Sequence, residues 1–118
     1  MRCTRAQALA LLAAAATLPV RALGARAIAV GSKNFTEELI VGELYAQLLE
    51  HHAVPVVRKL DLGGTQLAMA SIQRGAIDLY PEYTGTALLT VLKRGPLPDA
   101  AAIYAAVKSD YRRRYDLL

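Results

Sequence analysis

The chain has 118 residues, with 14 Lys plus Arg against 10 Asp plus Glu, one Cys, no Trp and 54% apolar residues. That length holds one small domain at most, since domains mostly run to about 100–150 residues, and a 20% charged fraction with so many aliphatics excludes a disordered chain. A single Cys excludes an internal disulfide framework and an all-Cys zinc site, and His51 and His52 are sequence neighbours that do not share a helix face, so no metal centre is expected.

Arg2 and Arg5 precede an apolar run from Ala6 to Val20, and small residues follow at Ala22, Gly24 and Ala25. A basic start, a short greasy centre and a small-residue exit describe a secretory signal peptide over residues 1–25, cut between Ala22 and Ala27. The run falls short of the roughly 20 apolar residues that a membrane span takes. Cys3 lies ahead of the run, so it is no lipid-attachment site at a cleavage point. Cutting after Ala25 leaves 93 of the 118 residues and removes Arg2, Arg5 and Arg21, so the net charge falls from +4 to +1. The basicity belongs to the leader. A nucleic-acid partner, which needs a basic face on the folded part, is not expected.

Ala27 to Val30 form a short apolar run ending at Gly31, the profile of a buried strand. Asn34 is placed to cap a helix, with Glu37 three residues on as its capping-box partner. Ile40, Leu44 and Leu48, beside Val41, Tyr45 and Leu49, then predict an amphipathic helix from about Phe35 to His51. A second strand is expected from Val54 to Leu60, with Pro55 marking an entry or edge position. Gly63 and Gly64 make a turn, Thr65 is placed to cap a helix through Arg74, and Gly75 stops it. Ala76 to Tyr80 reads as a third strand ended by Pro81. Strand, helix, strand, helix, strand gives two βαβ units and a parallel sheet with right-handed crossovers. A helical stretch to about Lys93 follows, Gly95-Pro96-Leu97-Pro98 breaks the chain, and Asp99 opens a last helix with Tyr104, Val107, Tyr111 and Tyr115 on one face. Arg112, Arg113 and Arg114 in its final turn read as a solvated helix end.

In parallel sheets ligands sit outside the carboxyl ends of the strands. Three segments fall there: Gly31 to Thr36, Asp61 to Thr65, and Tyr80 to Thr86. In the last, Tyr80 and Tyr83 flank a proline and a carboxylate, and a tyrosine face attracts a cation that has no N–H to donate, as in a quaternary ammonium group. The plainer alternative is a pair of ordinary half-buried strand-end aromatics. Ser32, Lys33 and the N–H groups of a helix start suit an anion such as a carboxylate, and Gly64-Thr65 offers a second such corner. A phosphate loop is excluded, because the Gly and Lys here lack the spacing and order of that motif. Asp78 and Glu82 are the best carboxylate pair for catalysis, but nothing supplies a third catalytic group and the histidines lie at the wrong end of their helix; no enzyme is expected.

Three segments in this order, VGSKNFTEELIVGELYAQLLE, RKLDLGGTQLA and GAIDLYPEYTGTALL, resemble the opening lobe of the osmoprotectant-binding proteins, the glycine betaine/carnitine/choline type of ABC-transporter substrate-binding protein. The resemblance covers Ala27 to Leu92. It implies an α/β lobe of the type II periplasmic-binding-protein kind, with a parallel βαβαβ sheet, that closes with a second lobe on a compatible solute. It further implies a periplasmic location, a quaternary ammonium solute, an ABC permease in the inner membrane as partner, and no cofactor. Lys33 is then expected to hold the solute's carboxylate and Tyr83 to join the aromatic box, with Tyr80, Gly64 and Thr65 as neighbours. Members of the family are more than twice as long, so residues 26–94 are expected to be a first lobe and residues 95–118 a linker and helix leading toward a second lobe that is absent. The alternative function is an orphan lobe that contacts a permease or receptor without binding solute.

Overall fold

The computed structural model describes residues 24–118, so the expected leader lies outside the described residues except for Gly24 and Ala25. The elements are β1 (Ile28–Gly31), α1 (Thr36–His51), β2 (Val56–Lys59), α2 (Thr65–Gln73), α3 (Thr84–Thr86), which runs into a π-helical turn over Ala87–Val91, and α4 (Ala100–Tyr115). The two strands are parallel, with Ile28 opposite Val56 and Gly31 opposite Lys59, and the Pro55 carbonyl accepts from the Ile28 N–H at 2.8 Å where β2 is entered.

The third strand expected over Ala76–Tyr80 is reduced to one parallel bridge between Val30 and Leu79, on the other side of β1 from β2. The Asp78 N–H donates to the Ala29 carbonyl and the Gly31 N–H to the Leu79 carbonyl, each at 2.8 Å. The ladder stops there for two reasons. The Asp78 carboxylate accepts the Ala29 N–H itself at 2.7 Å, and Pro81 has no N–H with which to extend the pairing.

Helix α1 forms where the four-residue repeat placed it, but with the opposite face inward. Its buried residues are Glu38, Gly42 and Ala46, while Ile40, Leu44 and Leu48 are more than half exposed. Close approach explains the inversion. A Cβ at Gly42 would lie 3.0 Å from a methyl of Leu60 and 3.1 Å from Ser32 Cβ, so the glycine lets the helix settle against the end of β1 without displacing either neighbour. Arg58 of β2 ties down one flank by donating to Glu43 at 2.8 Å and Glu50 at 2.6 Å.

Both expected N-caps shift by one residue. Phe35, not Asn34, precedes α1, and Gly64, not Thr65, precedes α2; neither helix has a side-chain cap. The Asn34 N–H is engaged elsewhere, donating to the Gly63 carbonyl at 3.0 Å, and the Gly64 carbonyl accepts the first N–H groups of α2, from Leu67 and Ala68. Gly75 ends α2 as expected, at φ +72° in the left-handed region. Asp99 caps α4 as expected, accepting the Ala102 N–H at 2.8 Å.

A second core lies between the π-helical turn and α4, built from Ala87, Leu88, Leu92, Val107 and Tyr111. The widened turn is marked by the Leu92 N–H donating to the Ala87 carbonyl, five residues back, at 2.9 Å. Tyr104 lines the same cleft as Val107 and Tyr111 but is 55% exposed, at the rim of that face. The arginines at the end of α4 do more than meet solvent: buried Asp110 accepts from Arg113 and, at 3.2 Å, from Arg94.

Two outcomes follow. Gly42→Leu should destabilise the protein by about 1–3 kcal/mol through overpacking, read as a drop in the thermal midpoint by circular dichroism. The Ala29 N–H, with Arg26 as a weaker contributor, holds Asp78 below the usual carboxylate range. Its folded pKa is therefore depressed, so its stabilisation is present at neutral pH and is lost as the pH falls through that value. Asp78→Asn should lower stability at neutral pH, and the gap to the parent in urea melts should narrow as the pH falls below the usual carboxylate range of about 4.

Candidate functional site

From β1 the chain crosses to β2 on one side, and the next connection carries it from β2 past β1 to Leu79 on the other, so β1 has neighbours reached in opposite directions. The crevice outside the carboxyl ends of two such strands is where open α/β sheets take ligands. Lys33 follows the end of β1 by two residues, and Glu82 and Tyr83 follow Leu79 by three and four.

The Lys33 side chain is 2% exposed, and its Nζ lies 2.5 Å from Glu82 and 3.5 Å from Glu38. Glu82 is further held by the Tyr83 N–H at 2.8 Å and the Tyr80 hydroxyl at 3.4 Å. Glu38, in the first turn of α1, accepts the Lys33 backbone N–H at 3.4 Å, where an acid also suits the helix dipole. Burial raises the Glu38 carboxyl above its ordinary value, against the pull of Lys33. One ammonium thus faces two acidic side chains, one hydrogen-bonded at 2.5 Å and the other 3.5 Å away.

The aromatic wall has a member the sequence did not single out. Phe35 stacks on Tyr83 with ring centroids 6.3 Å apart and an interplanar angle of 17°. The Lys33 ammonium lies 5.1 Å from the Tyr83 centroid and 5.3 Å from that of Phe35, inside cation–π range of both. Phe35 is 42% and Tyr83 40% exposed, so ring surface remains free. The Glu37 carboxylate beside the Tyr83 phenol pushes that hydroxyl up to about 12, and burial raises Tyr80 further, so both phenols keep their protons at neutral pH.

The other expected site residues stand apart. The Ser32 hydroxyl is fully buried, donating to the Lys33 carbonyl and accepting the Asp61 N–H, each at 3.0 Å, so it joins the two strand-end loops. Gly64 and Thr65 begin α2, and their corner is tied to Asn34 through Gly63; among the described residues neither hydrogen-bonds Lys33, Glu82 or Tyr83. Tyr80 reaches the site through Glu82 and lines a cleft of about 900 Å³ toward α4, shared with Tyr104 and Tyr111. A hollow of about 200 Å³ on the other side is lined by Glu37, Glu38, Val41, Tyr45, Glu82 and Tyr83. Among the described residues no group of three or more His, Cys, Asp and Glu is placed to hold a metal, and no helix is long and apolar enough to cross a membrane.

Phe35 and Glu38 were the residues sequence reasoning missed, and both carried a signal. Phe35 is extended, at φ −119° and ψ 154°, and stands two residues from Lys33, the spacing that puts side chains on one side of extended chain. Glu38 shares a helical face with Gly42 and Ala46, and a face that small reads as close-packed, where a charge needs a partner.

The family described as the substrate binding domain of ABC-type glycine betaine transport systems matches residues 26–118. The chain is 46% identical over 72 residues to the glycine betaine-binding protein YehZ of Escherichia coli K12, covering 61% of this chain and 23% of that protein. It is 35% identical over 102 residues to the ergothioneine transport permease/ergothioneine binding protein EgtU of Helicobacter pylori G27, covering 86% of this chain and 18% of that one. The solved structure of apo YehZ from E. coli superposes with a TM-score of 0.72 at 34% identity, over 77% of this chain and 33% of its own. The architecture is that of a periplasmic-binding-protein lobe. The chain belongs to the family of substrate-binding domains of glycine betaine ABC transport systems, and it spans about a quarter of the length of the curated relatives it matches.

Removing one partner of a buried ion pair strands the other, at about 3–5 kcal/mol. Glu82→Ala should therefore lower the thermal midpoint far more than Glu43→Ala, whose carboxylate sits in an exposed ion pair with Arg58. Scanning calorimetry of the two variants checks the order.

Proposed function

We propose that this chain contributes the opening lobe of a solute-binding protein that delivers quaternary ammonium osmoprotectants, such as glycine betaine, choline or carnitine, to an ABC permease in the inner membrane. The observation that carries the reading is the Phe35–Tyr83 pair standing around an ammonium, with carboxylates in excess beside it. Those rings attract a methylated nitrogen, which offers no N–H, through their faces. Glu82 and Glu38 supply compensating negative charge. Lys33 Nζ donates to Glu82 at 2.5 Å and lies 3.5 Å from Glu38, so on this reading it takes the solute's carboxylate by giving up part of that pairing. Ser32 joins the adjoining strand-end loops and Tyr80 fixes Glu82, while Gly64 and Thr65 stand at the start of α2. Glycine betaine and ergothioneine, the solutes in the names of the two relatives, are both betaines, with a trimethylated ammonium and a carboxylate.

On this reading residues 1–25 export the protein to the periplasm, residues 26–94 form the first lobe, and residues 95–118 are a linker and helix leading toward a second lobe. The work is capture and delivery, without catalysis.

A cation–π contact contributes about 0.5–2 kcal/mol, and millimolar affinity already needs about 4 kcal/mol. Two rings on one lobe should give this chain millimolar or weaker affinity. NMR titration with glycine betaine should shift the resonances of Lys33, Phe35 and Tyr83, and Tyr83→Ala should abolish those shifts without unfolding the protein. Shifts that persist unchanged in Tyr83→Ala, or that appear only away from this cluster, would overturn the assignment, and micromolar binding would show that a second copy completes the box.

A further inference from the structure

The outward face of α1 carries Ile40, Leu44 and Leu48 at 57%, 59% and 55% exposure, flanked by exposed Glu37 and His51. Leu44 stands at the centre, seven residues from each of Glu37 and His51, so these three lie along one line of the helix. Ile40 and Leu48 stand four residues to either side, on the same face. The pattern is the same read outward from Leu44 in either direction, except that its ends are opposite in character: a carboxylate at one and an imidazole at the other.

We propose that this face is an interface with a second copy of the chain, the two α1 helices lying antiparallel across a two-fold axis at Leu44. Such an interface uses the same patch on both subunits and must complement itself. Here Leu44 meets the partner's Leu44, Ile40 meets the partner's Leu48, and Glu37 accepts a hydrogen bond from the partner's His51. A parallel pairing would set Glu37 against Glu37. The two remaining acids near the seam, Glu43 and Glu50, are turned away and bound by Arg58, so they bring no like charge to it. The inward face of α1, with Gly42 and Ala46, is already packed on the sheet, so pairing needs no rearrangement of the fold.

Packed helices run with axes about 8–10 Å apart, which brings directly facing residues within the roughly 4.4–6.8 Å Cα separation of a disulfide. In a Cys3→Ser background, Leu44→Cys alone should form a covalent dimer on mild oxidation. Ile40→Cys alone and Leu48→Cys alone should not, whereas a mixture of those two variants should cross-link. Light scattering should find the parent dimeric and Leu44→Asp monomeric, with an unchanged circular dichroism spectrum. A monomeric parent would overturn the proposal and assign the face to another partner or to a further segment of a longer chain. Ile40→Cys cross-linking to itself, or a Leu44→Asp protein that stays dimeric, would overturn it as well. Glu37 borders both the seam and the Tyr83 phenol, whereas Leu44 does not line the Lys33–Tyr83 cluster; the test therefore reads oligomeric state and cross-linking, which a failure of solute binding leaves untouched.

Discussion

The Lys33 ammonium, closed in between Glu82 and Glu38, is the contact around which the ligand end of the sheet is organised. A buried charge without partners is prohibitively unfavourable, so an ammonium at 2% exposure requires both carboxylates to be where they are. Glu38 is delivered by the first turn of α1, and Glu82, which stands 49 residues from Lys33 in sequence, by the loop after Leu79. The ion cluster therefore fixes the angle at which α1 leaves β1 and brings the Tyr80–Tyr83 loop across the switch point. The stacking of Phe35 on Tyr83 follows from the same placement.

The second constraint is the small-residue face of α1. Gly42 lets the helix sit against Ser32 and Leu60, and that approach keeps Glu38 within reach of Lys33. A helix that turned its leucines inward would stand off by the length of those side chains and would carry Glu38 away from the ammonium. Site geometry and the exposed apolar stripe are thus two results of one packing choice. Exposed apolar surface of this kind commonly marks an interface.

The sheet itself is lightly built at its third position. One bridge at Leu79, reinforced by the Asp78 carboxylate on the Ala29 N–H, holds the loop that carries Glu82 and Tyr83. Much of the positioning of that loop therefore falls to Lys33 and to Asp78 rather than to a strand ladder. The packing of the π-helical turn on α4 anchors its other end through Ala87 and Leu88.

Local chemistry was sufficient for a good part of this protein. The order β1, α1, β2, α2, the Gly75 stop, the Asp99 cap and the parallel sense of the strands all rest on periodicity, turn residues and chain connectivity, which act over a few neighbours. Three motifs also carried the family, because they hold residues in a fixed order. Tertiary structure decided the rest. Apolar spacing announced a helix at Ile40–Leu48 but not which side would be inward, since that depended on how close Gly42 allowed the sheet to come. Propensity placed caps at Asn34 and Thr65; a long-range backbone bond to Gly63 displaced the first, and the local bonds of the Gly64 turn the second. Lys33 and Tyr83 were legible as residue types suited to a betaine. That the ammonium would be buried against Glu82 and Glu38, with Phe35 beside the tyrosine, depended on strands meeting across 49 residues of sequence, and no local pattern encodes such a meeting.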